Sequence, residues 1–246
     1  MSNELFAVAR MSLDEFDLLK CSRTASRILK VPPSEVASTV RLTGGFFARS
    51  VSEEVAQELV QALQSVGVRA ERVSEAELAL PEEYRTVEVT PCISTVTFRL
   101  QTGESVEEPW HRIDLATAFL LPGVVQFLQK SRQRRGIVFR KEPEEELHEK
   151  RMRAVVELLT ADRCYRFEDV RYDPESNQAV PLDGERARNL AREVVRQEGL
   201  NFGRGIKELA TGSDKVLQFS SRRAHTRYCE WLWLLTRRGV RVRGEC

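Results

Sequence analysis

The sequence predicts an α+β fold in two parts. A small β-α-α-β-α-β two-layer unit covers residues 1–75, a linker covers 76–86, and a mixed antiparallel β/α unit covers 87–246. Three observations predict this. Stretches with apolar residues at helical spacing alternate with short β-branched runs. Glycine and proline fall between those stretches at element-sized intervals. The chain has 246 residues, 41% of them hydrophobic and 30% charged, enough for two cores without a disulfide or metal staple.

Leu5–Ala9 (LFAVA) is a short apolar run with the composition of a buried strand. Thr24–Lys30 reads as a short helix that Pro32-Pro33 stop. Ser34 restarts a helix with Val36, Val40 and Leu42 as its apolar positions, and Gly44-Gly45 end it. Phe46–Ala48 gives a second strand. Ser52 is an N-cap followed by Glu53 and Glu54, which favour the positive end of the helix dipole. Val55, Leu59, Ala62, Leu63 and Val66 line one face of that helix, and Gly67 terminates it. Val68–Val73 alternates apolar and polar as a half-buried strand does. Ser74–Arg85 is acidic and contains proline, so it reads as a linker, helical at its start.

Two of these segments carry a resemblance. VSEEVAQELVQALQSVGVRAERV (Val51–Val73) and KVPPSEVASTVRL (Lys30–Leu42), in this element order, make residues 4–74 similar to the C-terminal domain of the bacterial ribosomal stalk protein. Clp protease adaptors share that fold. The resemblance implies a protein-interaction module. In the stalk family, basic residues around the middle helix dock translation GTPases. Here those helix positions are Ser34 and Ala37, so a ribosomal role is not implied. Arg27 and Lys30, nearby, are the basic residues left as a candidate interaction surface.

In the second part, Val87–Gln101 is β-branched with Pro91 interrupting it, which predicts a strand pair or a bulged strand. Thr102-Gly103-Glu104 reads as a hairpin turn, and Val106–Ala118 as the next strand, with Trp110 a core anchor. Ile113–Leu128 is too short for a bilayer, which takes about 20 apolar residues, and Pro122-Gly123 breaks it. It reads as a buried strand, turn and helix. Ser131–Arg135 is a basic cluster, Ile137–Arg140 is strand-like, and Glu142–Arg153 is charge-dense. Arg153–Asp173 predicts two strands joined near Ala161-Asp162, with a helix over Ala154–Thr160 as the alternative, and Asp173–Asn177 a turn. A helix follows from Glu185, with Ala187, Leu190, Ala191, Val194 and Val195 on one face. Arg204–Ala210 is a short helical turn. Ser220–Arg237 is an aromatic-rich helix expected to lie over the second core. This part resembles uncharacterised bacterial proteins that pair a stalk-like domain with a strand-rich module. Its layout of strands closed by a C-terminal helix is also similar to a pleckstrin-homology-like barrel.

Charge and motifs narrow the function. With 38 basic and 37 acidic side chains the chain has no global field to draw nucleic acid or an anionic membrane. Neither is expected as a partner. The five cysteines are widely spaced with no CxxC pair, and the N-terminus lacks the pattern of a secretory signal, so reduced thiols and a cytoplasmic location are expected. No phosphate-loop, nucleophile-elbow or HExxH pattern is present. The GxG at 203–205 lacks its third glycine and reads as a turn between helices. Glu144, Glu145 and Glu146 read as a solvated face.

His225 and Cys229 fall four apart on one helix face. Two ligands do not make a structural zinc site, which uses four, so Cys229 is read as packed in the core with His225 at its rim. Arg222, Arg223 and Arg227 form a basic run at the start of that helix. Arg132, Arg134 and Arg135 join Arg27 and Lys30 as the candidate interaction surface. No catalytic residue, cofactor or metal is expected. The functional expectation is a non-enzymatic intracellular binding or adaptor protein with a protein partner. The alternative is an enzyme or regulatory subunit with its site in the second part.

Overall fold

The computed structural model describes residues 4–122, 152–172, 179–181, 184–213, 219 and 221–244. Residues 123–151, with the basic cluster Ser131–Arg135, Ile137–Arg140 and Glu144–Glu146, and the turn at Asp173–Asn177 lie outside the described residues.

Strand β1 (Phe6–Arg10) is the centre of a three-stranded antiparallel sheet, flanked by β2 (Phe46–Val51) and β3 (Ala70–Ser74). Helices α1 (Leu18–Leu29), α2 (Pro33–Thr43) and α3 (Glu53–Ser65) cover one of its faces. Strand periodicity divides β1 between two cores. Phe6 and Val8 pack with Cys21, Val36, Leu59 and Leu63, whereas Ala7 and Ala9 belong to a core on the opposite face. Leu59 and Leu63 are fully buried, and the Ser52 side chain caps α3. Helix α1 begins six residues before the expected Thr24, because Asp17 accepts the Lys20 amide at 2.9 Å and caps it there. It ends at Lys30, which takes a left-handed conformation at φ 56°.

The expected linker is structured for most of its length. A 3-10 turn, Glu75–Leu78, is anchored by buried Leu78, and β4 (Glu82–Pro91) starts inside the segment assigned to the linker. The acidic composition of Glu82-Glu83 hid this strand, which forms through long-range pairing. With β5 (Thr95–Leu100) and β6 (Ser105–Pro109), β4 makes an antiparallel meander. Expected strand Val106–Ala118 is split by a 3-10 turn at Trp110–Arg112, where the Trp110 indole donates to the Cys92 carbonyl at 2.8 Å. A second meander follows from β7 (Leu115–Pro122), β8 (Met152–Leu159) and β9 (Arg163–Glu168). Val170–Tyr172 (β10) and Ala179–Pro181 (β11) form a separate hairpin, and β12 (Asn201–Phe202) pairs parallel with β7. The two meanders join through parallel pairing of β4 with β9, giving the order β12-β7-β8-β9-β4-β5-β6.

Among the described residues this sheet is open, with β6 and β12 at its edges, and no closed barrel of the pleckstrin-homology kind is present among them. The parallel junction extends the sheet sideways, and helices cover both of its faces. Such a sheet has no apolar face left that closure would have to bury. Helices α4 (Glu185–Arg196) and α5 (Arg204–Thr211) lie on one face. Asp169, between β9 and β10, accepts the Ala187 amide and the Arg186 side chain at the start of α4.

Helix α6 (Arg222–Arg237) lies on the other face, and it does more than cover the second core. Its residues share one core with Ala7, Ala9, Phe46 and Val73 of the small sheet and with Leu115, Leu159 and Cys164 of the large one. The Trp231 indole donates to the Arg10 carbonyl at 2.8 Å. The layers run α1–α3, small sheet, α6, large sheet, α4–α5. Gly203 and Gly205 stand at a strand-to-helix junction rather than between helices, because β12 precedes them. Both serve close packing: a Cβ on Gly205 would lie 1.8 Å from the Ala118 carbonyl oxygen, and one on Gly203 would lie 2.8 Å from Leu232. Among the described residues no helix is long and apolar enough to cross a membrane.

Candidate functional site

Helix α6 presents two polar sites, one open to solvent and one buried. The open site is at its N-terminal half. The Ser221 hydroxyl accepts the Ala224 amide at 3.2 Å and starts the helix. The next turns then bring Arg222, Arg223, Thr226, Arg227 and Glu230 opposite Arg49 and Ser50 of β2, around a cavity of about 470 Å³. Arg49 is fixed in place. Its Nε lies 2.9 and 3.0 Å from the two Glu75 oxygens, and its Nη1 lies 2.5 Å from Glu230. Burial pulls the Arg49 guanidinium down, but its hydrogen bonds to Glu75 and Glu230 outweigh this and hold it above its usual value. Ser50 adopts φ 56°, a left-handed conformation rare outside glycine, and its amide donates to Glu75 at 2.7 Å. Arg222 pairs with Glu83. Among the described residues, no carboxylate pairs with Arg223 or Arg227. Four guanidinium groups and one carboxylate therefore line the cavity.

The buried site lies along the same turns, on the opposite side of α6, facing the large sheet. Cys229 Sγ is 3.0 Å from His225 Nε2, 3.5 Å from Glu157 Oε2 and 3.4 Å from Thr117 Oγ1. Thr117 Oγ1 donates to Glu157 Oε2 across 3.3 Å, and His225 Nε2 lies 3.8 Å from the same oxygen. Arg166 Nη1 donates to the other oxygen of Glu157 at 2.8 Å, and its Nε donates to Glu168 at 2.9 Å. Phe119 stacks on the His225 ring with centroids 3.3 Å apart, and Phe219 meets the ring edge-on. Strand alternation explains the gathering: Thr117, Glu157 and Arg166 sit on adjacent strands at positions that point to the α6 face.

Burial governs the protonation states there. It pushes the Glu157 carboxyl up, against the pull of Arg166. Burial and then Glu157 push the Cys229 thiol well above its usual value. Burial, reinforced by Arg166 and Arg222, holds the His225 imidazole well below its usual range and hence neutral. Neither His225 nor Cys229 lines the arginine cavity or the two cavities at Arg85–Val87 and at Ala79–Pro81.

No family model, curated protein or solved structure matches the chain.

The sites differ from those expected on sequence grounds. Arg27 and Lys30 are exposed at the end of α1, outside the residues that line the arginine pocket. Arg132, Arg134 and Arg135 lie outside the described residues. His225 is 1% exposed, so it is not at the rim of the core; Phe119 and Phe219 enclose it. Arg49 and Glu230 of the pocket carried no local signal, because their proximity is long-range. Glu157 and Arg166 did carry one. Each is a charged residue inside an otherwise apolar strand, in AVVELL and CYRF, and a charge so placed needs a buried partner.

Proposed function

We propose that the protein is a non-enzymatic binding or adaptor protein, and that it takes an acidic segment of a protein partner in the pocket between β2 and α6. The observation that carries this reading is the cavity of about 470 Å³ lined by Arg49, Arg222, Arg223 and Arg227, two of them without a carboxylate among the described residues. Arginine presents a planar fork of donors that suits carboxylate and phosphate oxygens, and the N-terminal end of a helix adds a favourable dipole. Arg49 is held in advance by Glu75 and Glu230, which lowers the ordering cost of binding. The element order of residues 6–74 and the buried Leu59–Leu63 face of α3 support kinship with the stalk-like interaction modules. Free thiols at Cys21, Cys92, Cys164 and Cys229, one of them exposed, suit the reducing cytoplasm.

Fluorescence anisotropy with a labelled oligoglutamate peptide tests the pocket. Each charge-assisted hydrogen bond contributes about 1.5–3 kcal/mol, so the double variant Arg223→Glu/Arg227→Glu is expected to weaken binding by at least about a hundredfold. Binding by the unaltered protein should also weaken as salt rises. Equal affinity of both proteins for the peptide, or no binding by either, refutes the assignment.

A further inference from the structure

We propose that Glu157, His225 and Cys229 form a binding site for one borderline-soft divalent cation, of the Zn²⁺ type, between α6 and the large sheet. The three ligand atoms lie within 4.8 Å of one another, and all three residues are buried. Thr117 closes the group on a fourth side. Bonds of ~2.0–2.3 Å at tetrahedral angles put neighbouring donor atoms about 3.3–3.6 Å apart. The separations found here are 3.0 Å from sulfur to imidazole nitrogen, 3.5 Å from sulfur to carboxylate and 3.8 Å from nitrogen to carboxylate. Those from the Thr117 hydroxyl are 3.4 Å to sulfur and 3.3 Å to carboxylate. Five edges of a tetrahedron are thus present, each within about half an ångström of what a four-coordinate ion requires.

The donor set matches the same class of ion. A thiolate and an imidazole favour zinc over magnesium or calcium, which take oxygen ligands. The surroundings have the form of a supporting shell. Arg166 binds Glu157 Oε1 and leaves Oε2 facing the group, while Phe119 fixes the plane of the imidazole. A nucleophilic Cys-His-Glu relay fits less well. In a relay the carboxylate holds the imidazole nitrogen that faces away from the nucleophile. Here sulfur and carboxylate both converge on Nε2.

The experiment uses full-length protein freed of metal by a chelator, then titrated with Co²⁺ and afterwards with Zn²⁺. Because the site is buried, the ion is supplied both to the folded protein and during refolding from urea. One Co²⁺ per chain is expected, with the strong visible absorption of a tetrahedral centre and a thiolate charge-transfer band, both abolished by stoichiometric Zn²⁺. Cys229→Ser should remove the charge-transfer band, while Cys164→Ser should keep it. Arg166→Gln should weaken Zn²⁺ binding about 10–100-fold. Should these variants fail to fold, X-ray absorption on the zinc-loaded wild-type protein decides the matter, with one sulfur among nitrogen and oxygen donors expected. Absence of stoichiometric binding under both loading regimes overturns the proposal and leaves hydrogen-bonded packing only. A first shell with no sulfur, or with more than one, overturns it as well.

Discussion

At the scale of residues, one of the contacts that join the two halves of the molecule is Trp231 against Gly44-Gly45. A Cβ on Gly45 would lie 2.2 Å from the Trp231 indole nitrogen, and the same nitrogen donates to the Arg10 carbonyl. The glycines were legible as a helix stop, and Gly44 does take φ 79°. Their second role was not, because it depends on a residue nearly 190 positions away. Gly45→Ala should therefore destabilise the protein by about 1–3 kcal/mol, as overpacking does. It should do so by disturbing Trp231, so urea unfolding and the tryptophan emission of the folded state should change together. An unchanged emission spectrum would separate the loss from this contact. Arg166 gives the complementary case. It is 3% exposed and paired with Glu157 and Glu168, so Arg166→Met leaves Glu157 buried without its cation. Removing one partner of a buried pair costs about 3–5 kcal/mol, which chemical denaturation would register.

At the scale of elements, the joint between the two meanders depends on Tyr165 of β9. Its ring stacks on Phe98 of β5 with centroids 3.9 Å apart, and its hydroxyl donates to Glu108 of β6 at 2.8 Å. One side chain therefore spans β4 and ties the second meander to both outer strands of the first. Strands β5, β8 and β9 were legible from alternation and turn residues. The parallel β4–β9 pairing was not, since parallel partners are set by long-range closure and leave no mark on local periodicity. Burial raises the Tyr165 phenol to about 12; the Arg163 hydrogen bond opposes this, and the one to Glu108 adds to it. The unfolded chain releases that proton near pH 10, whereas the folded chain keeps it. The unfolded state then holds fewer protons, so the contribution of Tyr165 is intact below pH 10 and is lost as pH rises through about 12. The alkaline decline of the urea midpoint should accordingly be shallower in Tyr165→Phe than in wild type. Identical slopes would mean that the phenol is not held by the sheet.

At the scale of the whole molecule, the placement of α6 decides how far the opening unit stands alone. Its order of elements and the buried face of α3 could be read from caps, glycines and helical spacing. The covering of its second face could not, although Trp231–Leu235 (WLWLL) carried a hint: a helix apolar on every side is enclosed on every side. In the folded chain Ala7, Ala9, Met11, Phe46, Val73 and Leu78 share a core with α6. A fragment of residues 1–79 keeps the α1–α3 core but turns those six side chains to water, at about 25 cal/mol for each Å² of apolar surface left exposed. Such a fragment should bind a hydrophobic dye, self-associate, and unfold at a lower urea concentration than the intact protein. In the full chain, α6 is packed against both sheets, so secondary structure and Trp231 fluorescence should be lost in one coincident transition. Two separated transitions, or a monomeric fragment 1–79 with the urea midpoint of the parent, would show that α6 merely rests against the opening unit. The pocket and the buried cluster share this helix, so the same measurement tests whether one packed element holds both sites in place.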